Sequence, residues 1–200
     1  MIGKKNYDYL LRIIVIGESK VGKTSLILRY TDDIFPENNI ETFNIGFLIK
    51  TIIMDDNLIK VQTWDPCKSN DRPGNLNEIY YETAHGIIIT YDITNKKKFI
   101  ETRKWIDEII RQAKLDVRTI LVGNKYDLSM EREVTEEEGK KLAAEFGMLF
   151  FETSAKTGYN VNFAFETLVG DIIKNYEKFE EKKIILKIDD KNNKNNRCIQ

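Results

Sequence analysis

The string Gly17-Glu18-Ser19-Lys20-Val21-Gly22-Lys23-Thr24 restricts this chain more than any other feature. It follows the apolar run Leu10 to Ile16, which is rich in β-branched residues and broken only by Arg12, and it opens a helical stretch from Gly22 to about Tyr30. A continuous apolar run of that kind reads as a strand buried on both faces, the habit of parallel sheets. A Gly-rich turn from such a strand into a helix gathers backbone N–H groups at a helix N-terminus, where they can wrap a phosphate. In that setting Lys23 reaches the β- and γ-phosphates and the Thr24 hydroxyl ligates Mg²⁺. The alternative is a chance string in a glycine-containing loop, and the strand-then-helix context argues against it.

The rest of the chain carries the same alternation. Phe47 to Met54 and Leu58 to Trp64 flank Asp55-Asp56-Asn57 and read as a hairpin. Shorter apolar runs at Gly86 to Tyr91, Thr119 to Val122 and Met148 to Phe151 are separated by helical patterns. Phe99, Arg103, Ile106, Ile110 and Ala113 follow the helix period, as do Val161, Phe165, Leu168, Ile172 and Tyr176. Thr135 followed by Glu138 forms a capping box for a helix reaching about Phe146. Strands alternating with helices predict one doubly wound α/β domain over residues 10–180, with a mostly parallel six-stranded sheet between two helical layers. Residues 1–9 form a polar extension. From 181 to 200 Lys, Asn and Asp dominate, and a tail of that composition is expected to be flexible.

Composition excludes several classes. A net charge of −1 supplies no global field for nucleic acid. Two cysteines, Cys67 and Cys198, do not make a disulfide framework, so a reducing, cytoplasmic compartment is expected. Met1 to Tyr9 has no apolar signal core, and no apolar run approaches the length of a membrane span.

Two further motifs close strands on the same edge as the phosphate loop. Asn124-Lys125-Tyr126-Asp127 follows the Thr119 to Gly123 run. Guanine presents adjacent N–H donors from its ring and exocyclic amine, which one carboxylate can accept together, and adenine does not. Asp127 is the acceptor so placed. Glu152-Thr153-Ser154-Ala155-Lys156 closes the last strand and can offer backbone N–H groups to the base. Asp65, ending the Leu58 to Trp64 run, is positioned as the second acidic handle on Mg²⁺. A kinase built on the same phosphate loop would leave the Asn124 to Asp127 and Ser154 to Lys156 motifs without a role.

With these residues in place the sequence resembles the Ras-like small GTPases, and within them the Rab branch, from about Leu10 to Tyr176. The signs are Trp64-Asp65, Tyr80-Tyr81-Glu82-Thr83-Ala84-His85-Gly86 running on to Asp92, Val122-Gly123-Asn124-Lys125-x-Asp127, and Glu152 to Lys156. The resemblance implies a P-loop G domain that switches between GTP and GDP in membrane trafficking. It also implies two segments, 38–47 and 66–82, presented to effectors and exchange factors, and a monomer is expected. It extends the nucleotide site to Ser19, Lys20, Val21, Ser25 and Lys125. Thr42 matches the first switch threonine that ligates Mg²⁺ in the GTP state, and Phe35 matches the aromatic that packs on guanine. His85 matches a structural position and receives no catalytic role.

The sequence departs from the family where catalysis is decided. After Trp64-Asp65 the family reads Thr-Ala-Gly-Gln-Glu; here it reads Pro66-Cys67-Lys68-Ser69-Asn70. Lys68 stands in place of the glycine whose N–H approaches the γ-phosphate. Ser69 stands in place of the glutamine that orients the attacking water, and it is too short to reach the same point. Pro66 removes a backbone donor. No catalytic residue is intact, and slow intrinsic hydrolysis is expected, with a GTP-loaded scaffold as the alternative. Lys68 is either a solvated lysine or an ammonium replacing the lost N–H. Lys20 occupies a position usually small, where it either attracts phosphate or strains the loop. Asn44 and Gly46 stand where Rab-like chains show Gly and Asp. The chain has one cysteine near its end, Cys198, where the family has two. With Lys191, Lys194 and Arg197 a single lipid there would give reversible peripheral attachment to the cytosolic face of an intracellular membrane, and the alternative is an unmodified tail.

Overall fold

The structure is a computed structural model and describes residues 6–36, 46–66, 73, 74, 76 and 78–176. The β-branched run at the start of the chain forms β1 (Tyr9–Ile16), and the phosphate-loop string leads into α1 (Lys23–Asp32). The hairpin strands are β2 (Phe47–Met54) and β3 (Asn57–Trp64). Asp55 and Asp56 turn the chain at φ 48° and 60°. Two successive left-handed residues are what a two-residue hairpin of type I′ requires, and Asp tolerates that region better than most residues.

The chain continues through α2 (Glu78–Thr83), β4 (Gly86–Asp92), α3 (Lys96–Gln112) and β5 (Arg118–Asn124). A 3-10 turn (Tyr126–Glu131), α4 (Glu136–Glu145), β6 (Leu149–Glu152) and a final helix α5 (161–176) complete the described part. The six strands lie in the order β2-β3-β1-β4-β5-β6, with only β2 antiparallel to its neighbour. The single α/β domain expected from the alternation of runs is the one observed.

Residues on alternate positions of the central strands feed two cores. Ile13 and Val15 lie beneath α1 and α5 with Tyr30, Phe165 and Leu168, and the Tyr30 and Phe165 rings stack at 4.1 Å. Ile14 and Ile16 lie on the other face with Trp105, Ile106 and Leu142 from α3 and α4. Packing of both faces is why β1 tolerates no polar alternation in its second half.

The inward face of α3 differs from the periodicity read in the sequence. Thr102, Trp105, Ile106 and Ile109 are buried, whereas Arg103 is exposed and Ile110 is 63% exposed. Trp105, the largest fully buried side chain, sets the rotation of the helix. That turn also buries Glu108, whose Oε2 accepts the Gly74 N–H at 2.5 Å, and leaves Arg103 free to pair with Glu145 of α4. The helix α2 overlaps the 66–82 segment that the resemblance presents to effectors, and no apolar periodicity announced it. The capping box at Thr135 is present as expected, with the Glu138 carboxylate returning to the Thr135 N–H.

Candidate functional site

Because β1, β3, β4, β5 and β6 run parallel, the loops leaving their C-terminal ends meet on one edge of the sheet. Ligands of open α/β sheets bind along this edge. The loop after β1 supplies Gly17 to Gly22, the end of β3 supplies Asp65, the end of β5 supplies Asn124 to Asp127, and the loop after β6 supplies Thr153 to Lys156.

The phosphate loop curls through left-handed residues, with Gly17 at φ 139°, Lys20 at 64° and Gly22 at 97°. Interleaved left-handed residues are the local pattern from which concave nests of backbone N–H groups are built. A Cβ at Gly17 would lie 2.1 Å from the Thr90 carbonyl oxygen, and one at Gly22 would lie 2.4 Å from Asn124 Nδ2. Both glycines are therefore demanded by close approach as well as by φ. Lys20 adopts the same left-handed region with a side chain, which costs about 1 kcal/mol relative to glycine.

The N-terminus of α1 has no side-chain cap and no acidic residue in its first turn. An uncapped, uncountered helix start keeps its positive end for an external anion. Lys23 is only 5% exposed, and its Nζ donates to the carbonyl oxygens of Gly17 at 2.9 Å and Glu18 at 2.8 Å. Its charge is thus fastened inside the loop. Ser19 is exposed at the loop's rim, where its carbonyl accepts Lys98 Nζ at 2.6 Å; Val21 is buried and Ser25 half-buried.

Thr24 Oγ1 donates to Asp65 Oδ2 in a short hydrogen bond. A hydroxyl and a carboxylate meeting beside a phosphate loop suit Mg²⁺, a hard cation that keeps several waters and takes few protein ligands. Among the described residues no group of three or more His, Cys, Asp or Glu could hold a metal. A site for this ion therefore has to be completed by other oxygen donors, as phosphate would do.

Asn124 ties the base side to the phosphate side. It is 1% exposed, its Nδ2 donates to the Val21 carbonyl at 2.9 Å, and its Oδ1 accepts from the Ala155 N–H at 3.2 Å and from Thr153 Oγ1 at 3.3 Å. Its neighbour Lys125 takes φ 71° and pairs through Nζ with Asp92 Oδ2 at 2.6 Å. Asp127 is exposed, and its Oδ1 accepts Ser154 Oγ at 2.6 Å. Ser154 is fully buried, Ala155 is buried and Lys156 is exposed.

Asp92 is a site residue that sequence reading missed. It ends β4 on the same edge, anchors Thr94 through its other oxygen and holds the Lys125 ammonium. The signal was its place at a strand end. The Arg132 guanidinium braces the base side from behind by pairing with Glu152 at 2.5 Å, which holds Arg132 above its ordinary pKa.

Phe35 is partly buried against the core beneath α1 and α5. Thr42, Lys68, Ser69 and Cys198 lie outside the described residues, as do 38–45 of the first segment and 67–72, 75 and 77 of the second. The ends of those two segments that are described meet across the sheet. The Phe47 ring lies 4.8 Å from Trp64, and Trp64 lies 5.8 Å from Tyr80, forming a continuous aromatic row. No helix of the described residues is long and apolar enough to cross a membrane.

Comparison with known proteins agrees with this geometry. The profile of the Ras family matches residues 12–174. The Ras-related protein RIC1 of Oryza sativa subsp. japonica is 45% identical over 166 residues, which cover 83% of this chain and 82% of the relative. Ras-related protein Rab-8A of Bos taurus is 44% identical over 168 residues, covering 84% and 81%. Rab-8B of Homo sapiens is 44% identical over 169 residues, with the same coverage.

Proposed function

The chain belongs to the Ras family and, within it, to the Rab-related small GTPases, and on that premise we propose that it is a GTP/GDP switch of membrane trafficking with slow intrinsic hydrolysis. The observation that carries the reading is the Asn124 bridge. One side chain fastens the phosphate loop at Val21 to the base-side loop at Thr153 and Ala155, so the two recognition motifs form one site. Lys23, Thr24, Asp65 and Thr42 serve the phosphates and Mg²⁺. Asn124, Lys125, Asp127 and the 154–156 loop serve guanine. Phe35, packed here against the core beneath α1 and α5, is the aromatic that the resemblance would set against the base.

Bound Mg²⁺ would neutralise charge developing on the phosphates during hydrolysis. The residues of this chain hold the phosphate groups and the base in register. Catalysis in this class is mostly positioning and charge stabilisation, so residual turnover does not require an intact glutamine at position 69. The replacements Pro66, Lys68 and Ser69 support slow turnover, and they support equally a second reading, a GTP-loaded scaffold that barely hydrolyses. The aromatic row from Phe47 through Trp64 to Tyr80 supports effector binding across both segments. A lipid on Cys198 would give reversible membrane attachment, and it is checked as a mass shift on that residue in protein from native cells.

The deciding experiment is the nucleotide carried by the purified protein, released by denaturation and separated by chromatography. Mostly GDP supports the switch. Mostly GTP hands the case to the scaffold.

A further inference from the structure

We propose that Arg29 is a positioning residue for guanine recognition, aiming the backbone of residues 155–156 at the base. The inference rests on the guanine reading above, and it concerns a side chain outside the recognition motifs. Arg29 lies on α1 beyond the phosphate loop, and its side chain is 16% exposed. Its guanidinium donates to the Ala155 carbonyl through Nε at 2.8 Å and to the Lys156 carbonyl through Nη2 at 2.9 Å. Through Nη1 it also takes the Asp33 carbonyl at 2.9 Å and Asp33 Oδ1 at 2.8 Å. A planar fork with fixed donor directions makes these contacts from one rigid group.

The consequence follows from peptide geometry. In a trans peptide the carbonyl and the N–H that follows it point in opposite directions. Two consecutive carbonyls drawn toward Arg29 therefore turn the N–H groups of Lys156 and Thr157 away from it. The Thr157 N–H is used by Ser154 Oγ at 3.1 Å. The Lys156 N–H makes no hydrogen bond among the described residues. Ser154 Oγ itself donates to Asp127, so the donor freed by Arg29 belongs to the same loop that holds the guanine-reading carboxylate. The chemistry that such an N–H recognises is a carbonyl acceptor, which guanine carries at O6. Arg29 thus prepares the loop to read O6 while Asp127 reads the two N–H donors.

The test compares GDP with 6-thioguanosine diphosphate, which keeps the ring N–H and the exocyclic amine but replaces O6 with sulfur, a much weaker acceptor. Dissociation constants are measured for both with the wild type, Arg29→Ala, Arg29→Lys and Asp33→Ala. Loss of a charge-assisted pair is expected to weaken GDP by about 10-fold or more in Arg29→Ala and to leave the analogue within about 2-fold. Arg29→Lys keeps the stem and charge but not the fork, and should show the same selective loss at a smaller size if the alanine variant does not fold. Asp33→Ala cuts only the exposed arm, whose carboxylate is 87% exposed, and should change neither ligand. Equal losses for both ligands, or no loss for GDP, would overturn the inference while leaving the guanine reading intact. A wild type that does not prefer GDP over the thio analogue would also overturn the inference, whereas one that does not prefer GDP over ADP would sink the guanine reading and this inference with it.

Discussion

Replacing Asn124 by alanine should destabilise the whole domain and not only blunt nucleotide recognition. The side chain is 1% exposed and makes three hydrogen bonds, to the Val21 carbonyl, the Ala155 N–H and the Thr153 hydroxyl. Its removal strands three polar groups in a buried loop junction. Each orphaned group costs about 1 kcal/mol or more, so the loss should approach about 3 kcal/mol. For a domain of this size that corresponds to a fall in Tm of roughly 6–12 °C. Asn124→Asp is the sharper control. It keeps the acceptor for Ala155 and Thr153 but aims a second oxygen at the Val21 carbonyl, and it should destabilise at least as much. Asp127→Ala serves as the contrast, because an exposed carboxylate with one hydroxyl partner should cost about 1 kcal/mol or less. The assay is urea unfolding at fixed GDP, with the ligand contribution removed by using each variant's own Kd. An Asn124→Ala loss below about 1 kcal/mol, or one matched by Asp127→Ala, would refute the claim that this residue is the joint of the site.

Three other perturbations test separate parts of the structure. Gly139→Ala places a Cβ 2.4 Å from the Tyr91 hydroxyl and 2.5 Å from the Phe150 ring, and overpacking there should cost about 1–3 kcal/mol in urea unfolding. His85 Nδ1 accepts the Arg12 N–H at 2.9 Å, and burial first, then the Arg12 and Lys114 charges, hold its pKa below the usual 6.5. The unfolded chain then binds the proton more readily, so stability should fall as pH drops through about 6.5 toward the folded value. In His85→Asn, which keeps an acceptor but cannot titrate, that part of the pH dependence should vanish from the urea midpoints. Glu108→Ala should release residue 74 from α3 and raise proteolytic cleavage nearby, while Glu108→Gln, which keeps an acceptor for the Gly74 N–H, should not.

Local rules carried much of this fold. The β1 run, the Asp55-Asp56 hairpin and the Thr135 capping box depend on neighbours in sequence, so periodicity and turn chemistry announced them. The phosphate loop was legible for the same reason, since strand, glycine turn and helix are contiguous. What escaped depended on distant partners. Glu108 reads as a surface charge until Gly74 is brought against it, and Ile110 reads as core until Trp105 fixes the rotation of α3. The joining role of Asn124 required knowing that β5 and β6 deliver their loops beside Val21. Asp92 and Arg29 were missed likewise, because one acts through Lys125 and the other through the carbonyls of a loop more than a hundred residues away.

The central claim is a guanine-nucleotide site completed by Mg²⁺, and affinity for GDP against ADP, with and without chelation of Mg²⁺, tests it most directly. The account predicts GDP bound at least about 100-fold tighter than ADP, as buried polar recognition allows, with weaker GDP binding once the ion is removed. Comparable affinity for the two diphosphates, or GDP binding indifferent to Mg²⁺, would contradict it.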